Sequence, residues 1–237
     1  MPPHYLPGIG IGDFIQEGED LVRLLRSIGG LRPDDRVLDL GCGLGRVAIP
    51  LQRLLADSSY DGLDIVADII RWNTVNITRV SPNFRFKHLD VRNSTYNPNG
   101  SLDPEYVTFP YPNESFSFAF ATSLFSHLLE EAARRYLEEL ARVLRPQGRA
   151  IFTFFLLNQQ AEERAERGEA DIDFPEKWDF GRLNNLTQPE DAVAYDADWL
   201  LAQAKDVGLQ VRSVEWGRWS GNSDGLSYQD VVVVGKP

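Results

Sequence analysis

The chain has 237 residues, long enough for one substantial hydrophobic core and short for two. Hydrophobic residues make up 43% and charged residues 25%, the balance of an ordinary globular domain, while the net charge of −11 argues against a nucleic-acid substrate, which calls for a basic face. One cysteine, Cys42, leaves no disulfide within the chain; no apolar stretch approaches the ~18–20 residues of a membrane helix, and Met-Pro-Pro-His-Tyr does not read as a signal peptide, so a cytoplasmic protein off the membrane is expected.

Residues 1–16 are rich in glycine and proline, with Tyr5, Phe14 and Ile15 interspersed, and read as an irregular arm. Leu21, Leu24, Leu25 and Ile28 follow at helical spacing, and Gly29-Gly30 stops that helix. Arg32-Pro33-Asp34-Asp35 turns the chain into a first strand, Val37–Leu40. The next helix carries Leu44, Val47, Ala48, Leu51, Leu54 and Leu55; Pro50 makes it start late, near Val47, or kink. A second strand, Tyr60–Asp64, is followed by a helix over 67–80 and a third strand, Phe84–Leu89. Residues 92–114 form a long polar loop. Phe116–Ala121 is the fourth strand, and a helix over 129–144 leads through Arg145-Pro146-Gln147-Gly148 into a fifth, the apolar run Ile151–Leu157. Residues 158–195 are charged and irregular, part helical near 160–167, and read as a cap-like insertion. A helix over 198–207 and two strands, Leu209–Glu215 and Ser227–Val234, close the chain. Such alternation implies an α/β, doubly wound, mostly parallel sheet between two helical layers, in a single domain with an N-terminal arm and helix over 1–30; the last strand, reached without a helix, is antiparallel.

The segment Val37 to Pro50, Val-Leu-Asp-Leu-Gly-Cys-Gly-Leu-Gly-Arg-Val-Ala-Ile-Pro, carries the strongest functional signal. A strand ends in an acidic residue and a glycine loop, and a helix follows at once. Gly41, Gly43 and Gly45 let the backbone turn sharply and approach a ligand, and the helix points a partial positive charge at it. The spacing departs from G-x-G-x-x-G, because Arg46 stands where the third small residue of a dinucleotide site belongs, and no P-loop run is present. Asp39, two places before the loop, repels a pyrophosphate and suits a cation. The loop therefore fits a cationic, phosphate-free ligand. Cys42 reads as a small residue packed where the loop is tight.

Asp39-Leu40-Gly41-Cys42-Gly43-Leu44-Gly45 resembles motif I of the class I S-adenosylmethionine-dependent methyltransferases, and the resemblance runs from about Gly30 to Lys236. It implies a Rossmann-like three-layer αβα fold with seven strands in the order 3-2-1-4-5-7-6, and S-adenosylmethionine as cofactor. By this resemblance Asp64, at the end of the second strand, takes both ribose hydroxyls, and Ile65 packs on adenine. Asp90 accepts from the adenine amino group while the Val91 N–H donates to a ring nitrogen. Ser117 departs from the family's usual aspartate, at the start of the fourth strand and away from the chemistry. Asp64 also admits a helix-capping role, Asp90 a loop-capping one, and an acidic residue at Asp64's distance from a glycine loop occurs in dinucleotide folds too.

Ligands bind past the carboxyl ends of such strands where the order reverses, between the first and fourth. Thr122 and Ser123 then sit beside the cofactor's methionine end. His127 lies on the substrate side, either as a general base for an attacking hydroxyl or as a residue packing the next helix. The histidines, His4, His88 and His127, form no cluster at metal-ligand spacing, so no zinc is expected and no metal ligands are assigned, while a carboxylate magnesium site stays open. Tyr5 and Phe14 of the arm are the candidates to cover an acceptor. The acidity and the segments 1–16, 92–114 and 158–195, expected on one side of the sheet as a lid, favour a small-molecule acceptor: O-methylation of a hydroxylated metabolite or sugar-bearing product. Two rivals are a nicotinamide-dependent oxidoreductase and a non-catalytic binding module of the same fold.

Overall fold

The computed structural model describes residues 13–237. Helix α1, Phe14–Ser27, opens where the Asp13 carboxylate accepts from the N–H groups of Ile15 and Gln16. Phe14 is thus the buried first residue of a helix and not part of an irregular arm. Strand β1 (Arg36–Leu40) leads into α2 (Ala48–Leu54), which starts after Val47 with Pro50 in its first turn, as the missing proline N–H requires. Then come β2 (Ser59–Asp64), α3 (Ala67–Asn73) with a wider turn over Thr74–Thr78, and β3 (Phe84–His88). Strand β4 (Phe116–Ala121) and helix α4 (Glu130–Val143) precede β5 (Leu144–Leu157). The expected turn at 145–148 is a bulge at the root of β5: Phe116 of β4 faces Leu144 but Phe118 faces Arg149, and Gln147 adopts a φ of 64°.

The parallel strands run β3-β2-β1-β4-β5. Strand β10 (Asp230–Gly235) lies antiparallel between β5 and β9 (Gln210–Glu215), which gives the expected seven-strand order. Residues 158–195 differ from their irregular reading. They form α5 (Gln159–Glu166) and a meander of β6 (Glu176–Trp178), β7 (Gly181–Leu183) and β8 (Val193–Asp196). Strand β8 pairs parallel with Phe155–Leu157, so the far end of β5 carries a second sheet edge. Short strands with few apolar residues leave little trace of alternation in the sequence. Helix α6 (Ala197–Asp206) returns the chain to β9.

One face of the sheet packs Leu38, Leu40, Phe152 and Phe154 against α4 and α6; the other packs Val37, Phe118, Phe120 and Ile151 against α1 and α2. Burial on both faces is what makes the central strands read as apolar runs. Ser117 stays in a buried polar knot, donating to Asp35 (2.7 Å), which also holds Arg149 (2.6 Å). Residues 107–111 do not join a lid. They run along α4, where buried Glu139 accepts from Phe109 N–H (2.6 Å) and from the Arg142 guanidinium (2.6 Å).

Candidate active site

A cleft of about 470 Å3 opens at the carboxyl ends of β1, β2, β3 and β4, within the range of small-molecule sites. Gly41 and Arg46, at the two ends of the glycine loop, line it. Gly41, Gly43 and Gly45 have φ values of 74°, 47° and 75°. A Cβ at Gly43 would meet nothing, so a ligand can lie directly on that backbone, whereas a Cβ at Gly45 would overlap Ile77 Cδ1 behind the loop. The loop turns because the N–H groups of Gly41 and Cys42 both donate to Leu63 O, at 2.8 and 3.0 Å. Cys42 is buried against Gly62 and Asn73, and burial pushes its thiol pKa up. It is a packing residue behind the loop.

Asp64 occupies the centre of the cleft wall. One carboxylate oxygen accepts from Gly43 N–H and the other from Val66 N–H, both at 2.9 Å. Burial raises its pKa, and those N–H donors act against the rise. Two donors hold the carboxylate still, and each oxygen keeps capacity for a further hydrogen bond. Ile65, Val66, Leu89 and Val91 line an apolar slot beside it.

Several expected contacts are corrected. The Asp39 side chain turns away from the cleft into the core, where the Tyr60 hydroxyl donates to it. Burial drives its pKa up to about 7, so Asp39 supports the loop from behind and is no exposed counter-ion for a cation. The Asp90 carboxylate accepts from Ser101 Oγ (2.6 Å) and Asn97 Nδ2 (3.3 Å), the loop-capping alternative; the Ser101 hydroxyl, with Asn97, holds its pKa below the usual carboxylate value. The Val91 N–H donates to Leu89 O at 2.8 Å, so in this arrangement only its side chain faces the slot. Arg46 lines the cleft but pairs with Glu17 of α1. Phe14 packs against Leu44 and Ile69 behind the cleft wall and does not line it. Tyr5 lies outside the described residues.

Beyond β4, Thr122, Ser123 and His127 line the cleft as the topology demands. Ser123 has a φ of 56°, fixed by its N–H donating to Thr153 Oγ1 (2.7 Å). His127 sits in a short helical turn, with its Nδ1 3.0 Å from Glu190 O. Asn93, Tyr96 and Glu190 also line the cleft, and the sequence did not single them out as site residues. Asn93 folds a tight turn by accepting from the N–H groups of Thr95 and Tyr96, which sets Tyr96 edge-on to the imidazole at 5.4 Å. Ser94 N–H donates to the Glu190 carboxylate at 2.6 Å, so the 92–96 turn and the insertion meet above His127. The polar Asn93-Ser94-Thr95 run was a turn signal; nothing around Glu190 marked it. No group of three or more His, Cys, Asp or Glu among the described residues could hold a metal ion, and no helix there is long and apolar enough to cross a membrane.

A family model described as a methyltransferase domain matches residues 15–214, and the chain belongs to that family. The match agrees with the motif I resemblance of Asp39–Gly45 to the class I S-adenosylmethionine-dependent enzymes. Among solved structures, a protein of Pyrococcus horikoshii OT3 is similar at 18% identity and a TM-score of 0.64, over 94% of this chain and 90% of the other. Magnesium protoporphyrin IX methyltransferase of Synechocystis PCC 6803, solved with bound S-adenosylhomocysteine, is similar at 16% identity and a TM-score of 0.59, over 97% and 90%. The [4+2]-cyclase SpnF is similar at 17% identity and a TM-score of 0.63, over 98% and 86%. At these identities the likeness is one of fold, and the fold alone does not choose the reaction.

Proposed function

We propose that this methyltransferase binds S-adenosylmethionine in the cleft and passes its methyl group to an oxygen of a small hydroxylated acceptor. Asp64 carries the reading: a carboxylate held by two backbone N–H groups beside an apolar slot, next to a glycine loop open at Gly43. Those features suit a ribose diol, a flat base and a chain lying on bare backbone. The cofactor supplies a methyl group on a positive sulfur that leaves as a neutral thioether. Asp64 accepts from the ribose hydroxyls, Ile65 and Val91 grip the base, and Thr122 and Ser123 border the methionine end. Alignment of this kind is worth ~7–11 kcal/mol in intramolecular reactions.

His127 is the base in this reading. A backbone carbonyl can only accept, so Nδ1 carries the proton toward Glu190 O and Nε2 keeps its lone pair for the acceptor hydroxyl. A proton taken there leaves an alkoxide or phenoxide to attack the methyl carbon.

Calorimetry on the purified protein with S-adenosylmethionine, S-adenosylhomocysteine and NADH tests the cofactor, with label transfer from methyl-labelled donor to a metabolite panel as the second stage. Micromolar binding of the two sulfur nucleosides and none of NADH is expected. Binding of NADH alone would make the protein an oxidoreductase; sulfur-nucleoside binding without transfer to any of the panel would favour a binding module.

A further inference from the structure

A second cavity, of about 530 Å3, adjoins the cleft and shares Arg46, Thr122 and Ser123 with it. It is lined by α1, the segment before β10, Thr122 and Ser123 past the carboxyl end of β4, and Thr153 within β5. The mechanism above leaves it unused.

Its floor is polar and built. Gln229 is only 7% exposed, and its carboxamide oxygen accepts from Thr153 Oγ1 (2.7 Å) and Ser123 Oγ (2.9 Å). Thr153 Oγ1 accepts in turn from Ser123 N–H. In this orientation both hydroxyls donate to the amide oxygen. The carboxamide nitrogen, with two protons to give, has no hydrogen-bond partner among the described residues, in a side chain that lines the cavity. Its two protons open onto the cavity, where a ligand oxygen or water can take them.

The cavity lining mixes apolar side chains, Leu21, Leu24 and Ile28 on α1 with Leu226 and Tyr228 before β10, with charged ones. Of the lining cations, Arg23 pairs with Asp20 and Arg46 with Glu17, whereas Arg218 makes no ion pair among the described residues. Apolar and aromatic side chains with amide donors at the floor and an available guanidinium suit an aromatic ligand with an oxygen at one end and an anion at the other.

We propose that this second cavity is the acceptor site, that its ligand is a hydroxyaryl carboxylate, and that Gln229 receives the ring oxygen while Arg218 receives the carboxylate. The proposal rests on the cofactor reading: Thr122 and Ser123 line both spaces, so the ring oxygen sits at their shared wall, with Gln229 on the cavity side and His127 on the cleft side to take its proton. Gln229 touches the acceptor and selects for an oxygen at the reacting edge; Arg218 selects for the anionic end.

The test uses the full chain saturated with S-adenosylhomocysteine and titrated with 4-hydroxybenzoate, with benzoate and cyclohexanol as probes lacking the hydroxyl or the flat anion. Binding is read by calorimetry and by the side-chain carboxamide resonance of Gln229. Expected are a shift of that resonance with 4-hydroxybenzoate, weaker binding of both controls, and losses of ~10-fold or more in Gln229→Ala and Arg218→Ala. S-adenosylhomocysteine affinity should stay within about twofold in both variants, which also reports that they fold. Arg218 is exposed, so its variant keeps the test open if the buried substitution fails to fold. Equal 4-hydroxybenzoate affinity in wild type and Arg218→Ala, no binding, or an unmoved Gln229 resonance overturns the acceptor site while leaving the cofactor reading intact. Failure of the wild-type protein to bind S-adenosylhomocysteine overturns both.

Discussion

The Nδ1 of His127 faces the backbone carbonyl of Glu190 across 3.0 Å, and this one contact fixes the imidazole tautomer from the insertion, 63 residues away in the chain. The contact uses main chain and not the Glu190 side chain, so its two functions separate. The Glu190 carboxylate tethers the 92–96 turn, while the carbonyl orients His127.

His127→Gln should therefore lower kcat by about 10²-fold or more, the size of a lost general base, with S-adenosylhomocysteine affinity within twofold of wild type. Added imidazole should restore part of the rate. Glu190→Ala keeps the carbonyl and should cost far less in kcat. Equal rates for His127→Gln and wild type would show that the histidine only packs.

Asp64→Asn keeps the size of the side chain but turns one accepting oxygen into a donor, which opposes Gly43 N–H or Val66 N–H. Losing one charge-assisted bond at ~1.5–3 kcal/mol predicts a 10- to 100-fold fall in S-adenosylhomocysteine affinity, measured by calorimetry. Undiminished affinity would remove Asp64 from the cofactor site.

Asp39 makes a prediction about pH. Its folded pKa, about 7, lies above the ordinary 3.8, so the folded state holds the proton more tightly than the unfolded chain. The stability this lends is complete below about pH 4 and is lost as pH rises through about 7. Denaturant melts of wild type should show ΔG falling across that window, by at most on the order of 4 kcal/mol at ~1.4 kcal/mol per pH unit. Asp230, raised to about 6 by burial, adds a slope of the same sign. Asp39→Asn, which still accepts from Tyr60, should flatten the curve without abolishing it.

Glu139 is a structural keystone with no counterpart in the motif. Its buried carboxylate ties Phe109 N–H, Arg135 and Arg142 together and holds the 107–111 segment on α4. Glu139→Ala should destabilise the protein by about 1–3 kcal/mol, because the buried Phe109 N–H loses its acceptor while the part-exposed Arg135 and Arg142 keep others, and a thermal melt would register it. A loss below about 1 kcal/mol would mean that water replaces the carboxylate.

What was legible in the chain was what backbone rules write into local pattern. Strands buried on both faces, Phe116–Ala121 and Ile151–Leu157, read as apolar runs, and the glycine loop wrote its φ angles into its spacing. The same local order placed Asp64, Ile65 and Thr122 on the cleft. The meander at 176–196 was not legible, because strands of three or four residues gain their stability from pairing with the end of β5. Nor was Phe14 at the head of α1: one Asp13 cap outweighed the glycine-rich composition before it.

The sequence by itself determined the sheet, the glycine turn and which carboxylates stand at strand ends, since these follow from steric limits on each residue and the burial of its neighbours. Only the tertiary structure decided where those carboxylates point: Asp39 into the core under Tyr60, Asp90 onto Ser101, and Asp64 into the cleft. The reason is that a side chain's direction and its proton are settled by whichever distant donors and apolar atoms surround it, and residues such as Glu190, Thr153 and Gln229 meet the site only once the sheet has closed.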